Sequence, residues 1–149
     1  MPEPVLFLDS STIIAGMISW QGASRALLLL GEDRKIVIAV SEQVITEVER
    51  NLARKAPAAL PYARELLRHI NLRVLRDPPA MLVRQRLDWM SHTVDVPILV
   101  AAAEAKVDYL VTLNRRHFID DPRVAQVSGL RIGMPGDALA WVREWMREK

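Results

Sequence analysis

The 149-residue chain has no cysteine, which removes disulfides, thiolate metal sites and cysteine nucleophiles from consideration. Any metal it binds must be held by oxygen or imidazole. It also lacks a long apolar run: residues 26–30 fall far short of the roughly 20 apolar residues that a membrane helix needs. No membrane association is therefore expected. Glu3 and Asp9 stand where a secretory leader would carry basic residues, so a cytoplasmic location is the expectation. There is no internal repeat, no low-complexity segment and no excess of Gly, Ser or charge of the kind that marks disorder. Strong charge of one sign is missing too. Twenty basic residues against 18 acidic ones leave a net charge of +2, short of the footprint of a dedicated DNA-binding domain yet compatible with a phosphate-bearing partner. Ser10 and Ser11 have no G-x-S-x-G surroundings, which argues against serine hydrolase chemistry.

What is present is a foldable chain, half apolar and about a quarter charged, with the length of one domain over residues 1–149. Its organising stretch is VLFLDSSTIIAG. An unbroken apolar run, Val5–Leu8, reads as a strand covered on both faces, and Asp9 follows at its carboxyl end, where open parallel sheets place ligands. Helices are expected over 12–19 and 23–31, and a second strand over 35–40. Ser41 reads as the N-cap of a helix over 42–54, with Val44, Ile45, Val48 and Leu52 inward.

An amphipathic helix over 62–70 leads to a third strand, Leu72–Leu75, ended by Asp77, Pro78 and Pro79. Residues 81–90 read as a further helix. Asp95 is placed to cap an alanine-rich helix over 98–106, with Pro97 in its first turn. A buried strand over 108–112 follows, then a polar loop with Asn114, Arg115, Arg116 and His117. A last strand near 130–132 precedes a helix opened by Pro135, whose Leu139, Val142 and Met146 share a face. Strands alternating with helices imply an α/β sandwich around a parallel sheet with right-handed crossovers.

That topology sorts the acids. Asp9 ends the first strand, Glu47 lies early in the helix after the second, Asp95 opens the helix before the fourth, and Asn114 lies just past the fourth. All four should reach one edge, while Asp108 should sit at the opposite one. Unneutralised carboxylates raise one another's pKa, so such a cluster suggests a divalent cation. Oxygen donors select a hard ion, Mg²⁺ or Mn²⁺, and the chemistry implied is metal-assisted phosphodiester hydrolysis. Each acid also has a plain structural reading: Asp9 and Asp95 as helix caps, Glu47 as a solvated helix residue.

LDSST, SEQVITEVE, DVPILVAAA and DYLVTLN, in this order and spacing, resemble the PIN domains found in ribonucleases and in the VapC-type toxins of toxin–antitoxin pairs. The resemblance spans nearly the whole chain. It implies a three-layer α/β/α sandwich with a five-stranded parallel sheet in the order 3-2-1-4-5. It also implies that Asp9, Glu47 and Asp95 are the metal-binding and catalytic acids, with Asn114 at a fourth position that is commonly Asp in the family. Asn brings an oxygen but no charge, which weakens affinity for a hard ion. Ser11, Thr112, Arg115, Arg116 and His117 are the candidate substrate contacts. The partners implied are RNA, an antitoxin protein and a second copy of the chain.

Two other readings compete. Asn114 leaves room for a catalytically weakened PIN fold that binds RNA or protein. A haloacid-dehalogenase-like phosphatase would need a carboxylate two residues after Asp9, where Ser11 stands. Asp120 and Asp121 are close enough in sequence to reach back to the site, but they precede a proline and read as turn residues, and His69 and His92 have no partners at metal-ligand spacing and read as surface or packing residues.

Overall fold

The computed structural model describes residues 2–149. Its centre is β1 (Val5–Leu8), in which Leu6, Phe7 and Leu8 are fully buried. β1 pairs in parallel with β2 (Val37–Ser41) on one side and β4 (Tyr109–Val111) on the other. β3 (Leu72–Leu75) adds to β2, and β5 (Ile132–Gly133) adds to β4. Among the described residues this gives a five-stranded parallel sheet in the order 3-2-1-4-5, as expected.

Parallel strands require crossovers, and the crossovers here are helical. β1 is followed by α1 (Ser10–Ile18) and α2 (Ala23–Glu32), and β2 by α3 (Glu42–Lys55) and α4 (Leu60–His69). β3 is followed by α5 (Ala80–Gln85) and α6 (Val96–Glu104), and β4 by α7 (Arg115–Phe118) and α8 (Pro122–Ser128). α9 (Pro135–Glu148) closes the chain. α1 packs against α2 and α3, and α2 against α9, whereas α6 packs against α5, α8 and the sheet. α1 and α2 approach closely at Gly16, where a Cβ would stand 2.6 Å from Leu28 Cδ1. Among the described residues no single helix is long and apolar enough to cross a membrane.

Local chemistry sets the helix starts. Ser41 ends β2 and caps α3, its Oγ accepting from the Val44 amide at 3.3 Å. Asp108 lies at the edge opposite Asp9, where its Oδ2 accepts from the Val5 amide at 2.7 Å and ties β4 to β1.

Three expectations need correction. Residues 81–90 are not one helix: α5 stops at Gln85, and a separate 3-10 turn covers Leu87–Trp89. Arg86 leaves helical geometry to lie 4.8 Å over the Trp89 ring, with Nη1 3.3 Å from Glu104. The expected polar loop around Arg115 is instead the short helix α7, because Asn114 Oδ1 caps it by accepting from the His117 amide at 3.2 Å. α8 was unexpected. Asp121 caps it, Pro122 occupies its first turn and Gly129 ends it in the left-handed region at φ 72°.

The buried central strand yields a stability test. Phe7→Ala removes a fully buried ring where the sheet is covered on both faces. It should cost about 3–5 kcal/mol, read as a lowered urea midpoint by circular dichroism.

Candidate active site

Right-handed crossovers bring the carboxyl end of β1, the N-terminal turns of α3 and α6 and the segment beyond β4 to one edge of the sheet. A cleft of about 320 Å³ opens there, and Asp9, Glu47, Asp95 and Asn114 all line it. Asn114 belongs to the opposite strand connection from Glu47, so the four residues enclose the cleft from separate elements.

Asp9 is the most constrained of them. Its side chain is buried, with 5% of its surface exposed. Oδ1 accepts from the Ser11 hydroxyl at 2.7 Å and from the Thr12 amide at 3.1 Å, and Oδ2 accepts from the Thr112 hydroxyl at 2.5 Å. Asp9 therefore caps α1 and lines the cleft at once, so the two readings of this residue do not compete. Burial pushes its carboxyl above the ordinary value of 3.8, and the bonds from Thr112, Ser11 and Thr12 pull against that rise.

The same hydroxyls shape the segment beyond β4. Ser11 Oγ accepts from the Leu113 amide at 3.2 Å, and Thr112 Oγ1 accepts from the Asn114 amide at 2.9 Å. Thr112 is fully buried. Its hydroxyl, expected to meet substrate, is directed at Asp9 and Asn114.

Glu47 is half-buried and accepts from Ser10 Oγ at 3.1 Å and from Gln43 Nε2 at 3.5 Å. Arg50, Asn51 and Arg54 line the cleft with it. Sequence reasoning missed Arg50 and Arg54 as site residues. Their signal was present, since they lie three and seven residues after Glu47 and share its helix face. Arg54 donates to Asn51 Oδ1 at 3.0 Å. Among the described residues neither arginine forms a salt bridge, and no arginine or lysine pairs with Asp9, Glu47 or Asp95.

Asp95 stands at the N-cap position of α6, but its side chain makes no capping bond. Its Oδ2 lies 3.0 Å from His117 Nδ1 and 3.8 Å from His92 Nε2. The two imidazoles stack with centroids 3.8 Å apart. His92 is therefore not the partnerless surface residue that the sequence suggested. The fold brings it to Asp95 one helical turn away and to His117 across the chain.

The basic segment divides differently from expectation. Arg116 and His117 line a neighbouring cleft of about 380 Å³ with Ser91, His92 and Asp121. Arg115 Nε stands 3.9 Å from Asp120. Of the expected substrate contacts, only Ser11 lines the acidic cleft itself, and its hydroxyl is engaged with Asp9. Asp121 caps α8 and pairs with Arg123 at 3.1 Å, which holds its carboxyl below the ordinary value. The acidic cleft thus offers three carboxylates with no arginine or lysine bonded to them and one amide oxygen that also caps α7, a donor set suited to a hard divalent ion.

A family model described as PIN domain matches residues 5–116. No curated protein sequence matches the chain. Solved structures resemble it in fold. PAE2754 from Pyrobaculum aerophilum superposes with a TM-score of 0.64 at 18% identity, covering 95% of this chain and 90% of that one. VapBC2 from Rickettsia felis, bound to a DNA fragment from the promoter, gives 0.60 at 16% identity over 87% and 98% of the two chains. Mycobacterium tuberculosis VapC20, a Sarcin-Ricin loop cleaving toxin, gives 0.53 at 18% identity over 70% and 86%.

The buried carboxylate has a consequence for stability against pH. The folded-state Asp9 carboxyl titrates above 3.8, so the folded protein holds that proton more tightly than the unfolded chain. The stabilising contribution is complete below 3.8 and is lost as pH rises through the folded value. In EDTA at pH 7, Asp9→Asn should therefore melt higher than wild type, and the gap should close as pH falls below 3.8. Melting followed by circular dichroism across this range checks it; a gap independent of pH would contradict it.

Proposed function

The chain belongs to the PIN domain family, and from that premise we propose that it is a divalent-metal-dependent endoribonuclease, one PIN-type domain over residues 1–149 acting in the cytoplasm. The observation that carries this reading is the cleft in which Asp9, Glu47, Asp95 and Asn114 converge with no arginine or lysine bonded to the acids, beside Arg50 and Arg54. Asp9, Glu47 and Asp95 would hold Mg²⁺ or Mn²⁺, with Asn114 contributing an uncharged oxygen. The bound ion would polarise the scissile phosphate and lower the pKa of the attacking water.

The chain's own residues do the positioning. The Ser11, Thr12 and Thr112 donors fix both oxygens of Asp9, so one ligand is set before any ion arrives. Arg50 and Arg54 offer cationic contacts for phosphate oxygens along the α3 wall. Arg116, in the adjoining cleft, extends the same role along the strand without reading its sequence. RNA is the proposed substrate, in keeping with VapC20, which cleaves the Sarcin-Ricin loop. An antitoxin protein is a proposed partner because VapBC2 is a structural neighbour. A homodimer is proposed with it.

Asn114 favours a second reading, a weakened PIN fold that binds RNA or protein without cutting. Its Oδ1 is committed to capping α7, and it brings no charge to the cleft. Cation affinity separates the two: a site that responds to Mn²⁺ at millimolar concentration or tighter supports the nuclease.

Purified protein with Mn²⁺ should cleave single-stranded or structured RNA, and Asp95→Asn should slow this by about a hundredfold or more. Arg54→Ala should instead raise KM with little change in kcat, the signature of lost phosphate binding. Gel-resolved cleavage kinetics read both. Equal cleavage by wild type and Asp95→Asn would overturn the assignment.

A further inference from the structure

Beside the acidic cleft lies a group of donors of a different chemical kind. His92 Nε2 and His117 Nδ1 both approach Asp95 Oδ2, at 3.8 and 3.0 Å, and the ligand atoms of the three residues lie within 4.8 Å of one another. Ligands on a tetrahedral zinc, bound at about 2.0–2.1 Å, stand roughly 3.3 Å apart. The two spacings to Asp95 bracket that value, and because the imidazoles stack at 3.8 Å with 17° between their planes, the exposed His92 ring must turn before both lone pairs reach one ion. Two imidazoles and a carboxylate are also the protein ligands of many open zinc sites, in which water takes the fourth position.

The hydrogen bonding around His117 points the same way. Its Nδ1 faces Asn114 Nδ2 at 2.7 Å as well as Asp95 Oδ2 at 3.0 Å. The amide group can only donate and the carboxylate oxygen can only accept, so no placement of the ring proton satisfies both. An ion between Nδ1 and Oδ2 would take a lone pair from each and relieve that contact; because it uses the single lone pair of Nδ1, Asn114 Nδ2 gives up its own bond to the ring. Asn114 Oδ1 is held by the His117 amide, which fixes how the asparagine meets the ring.

We propose that His92, Asp95 and His117 form a cation site of their own, selective for Zn²⁺ and similar borderline ions over Mg²⁺. The histidines open onto the cleft they share with Ser91 and Arg116, whereas Asp95 lines the acidic one, so this carboxylate is the wall between the two. Imidazole donors discriminate against hard ions, which is why this site and the carboxylate cleft select different metals. Because Zn²⁺ would engage Asp95 Oδ2, its binding weakens the hold of the acidic cleft on Mg²⁺ or Mn²⁺. Only that last consequence rests on the nuclease reading.

The test is calorimetric titration of ZnCl₂ into the full chain without a histidine tag, in the absence of RNA. Wild type should take up one Zn²⁺ per chain. His92→Ala, at a side chain 45% exposed and so harmless to folding, should weaken binding by about tenfold or more. His69→Ala, at an exposed histidine outside both clefts, should bind as wild type does. In ¹⁵N spectra of the imidazoles, Zn²⁺ should shift His92 and His117, leave His69 in place and have no counterpart with Mg²⁺. Absence of Zn²⁺ uptake by wild type, or uptake unchanged in His92→Ala, would overturn the proposal. No RNA enters the measurement, so failure of the nuclease reading would leave this result unmoved.

Discussion

The structure depends on keeping one carboxylate, that of Asp9, nearly out of water at the end of its most buried strand. A charge placed there without partners would be costly, and the chain meets that cost with hydroxyl and amide donors in place of a cationic side chain. Thr112, Ser11 and Thr12 supply them from two elements, and the Asp9 amide in turn donates to Val111 O at 3.1 Å. The carboxylate consequently joins β1, α1 and the exit from β4. Because Ser11 and Thr112 each use the same oxygen to receive the amides of Leu113 and Asn114, the position of Asn114 follows from that of Asp9.

Neutral donors have a chemical effect that an arginine would not. They satisfy the oxygens geometrically while leaving the negative charge uncancelled, so the cleft retains its attraction for a cation. Glu47 follows the same pattern through Ser10 and Gln43. The positive charge of Arg50 and Arg54 stands further along α3, lining the cleft without bonding to its acids. Asp95 differs, since its neighbours are imidazoles, and this distinguishes the two sides of the site.

The parallel sheet and its edge were legible because the apolar runs of β1 and β4 end in polar residues, and crossover handedness then decides which acids meet. PIN resemblance supplied the strand order, and the sheet has that order. What was not legible came from short-range competition and from contacts between distant segments. Arg86 ends the expected helix with its guanidinium over Trp89 and beside Glu104, contacts that helical periodicity does not announce. Asn114 turns a loop into α7 by capping, an effect hidden when the residue is considered only as a ligand. His92 has no partner in the sequence pattern, since His117 reaches it only through the fold. Arg50 and Arg54 were hidden for another reason: the apolar stripe of α3 marks its buried face and carries no sign that the face with Glu47 borders a cleft.

The proposed nuclease requires that the oxygens of Asp9, Glu47 and Asp95 jointly bind a hard cation. The most direct measurement is anomalous scattering from a crystal equilibrated with Mn²⁺. A single strong peak within roughly 2.0–2.4 Å of oxygens from all three residues is the predicted result. A crystal saturated with Mn²⁺ that places the ion elsewhere, or holds none in the acidic cleft, would contradict it.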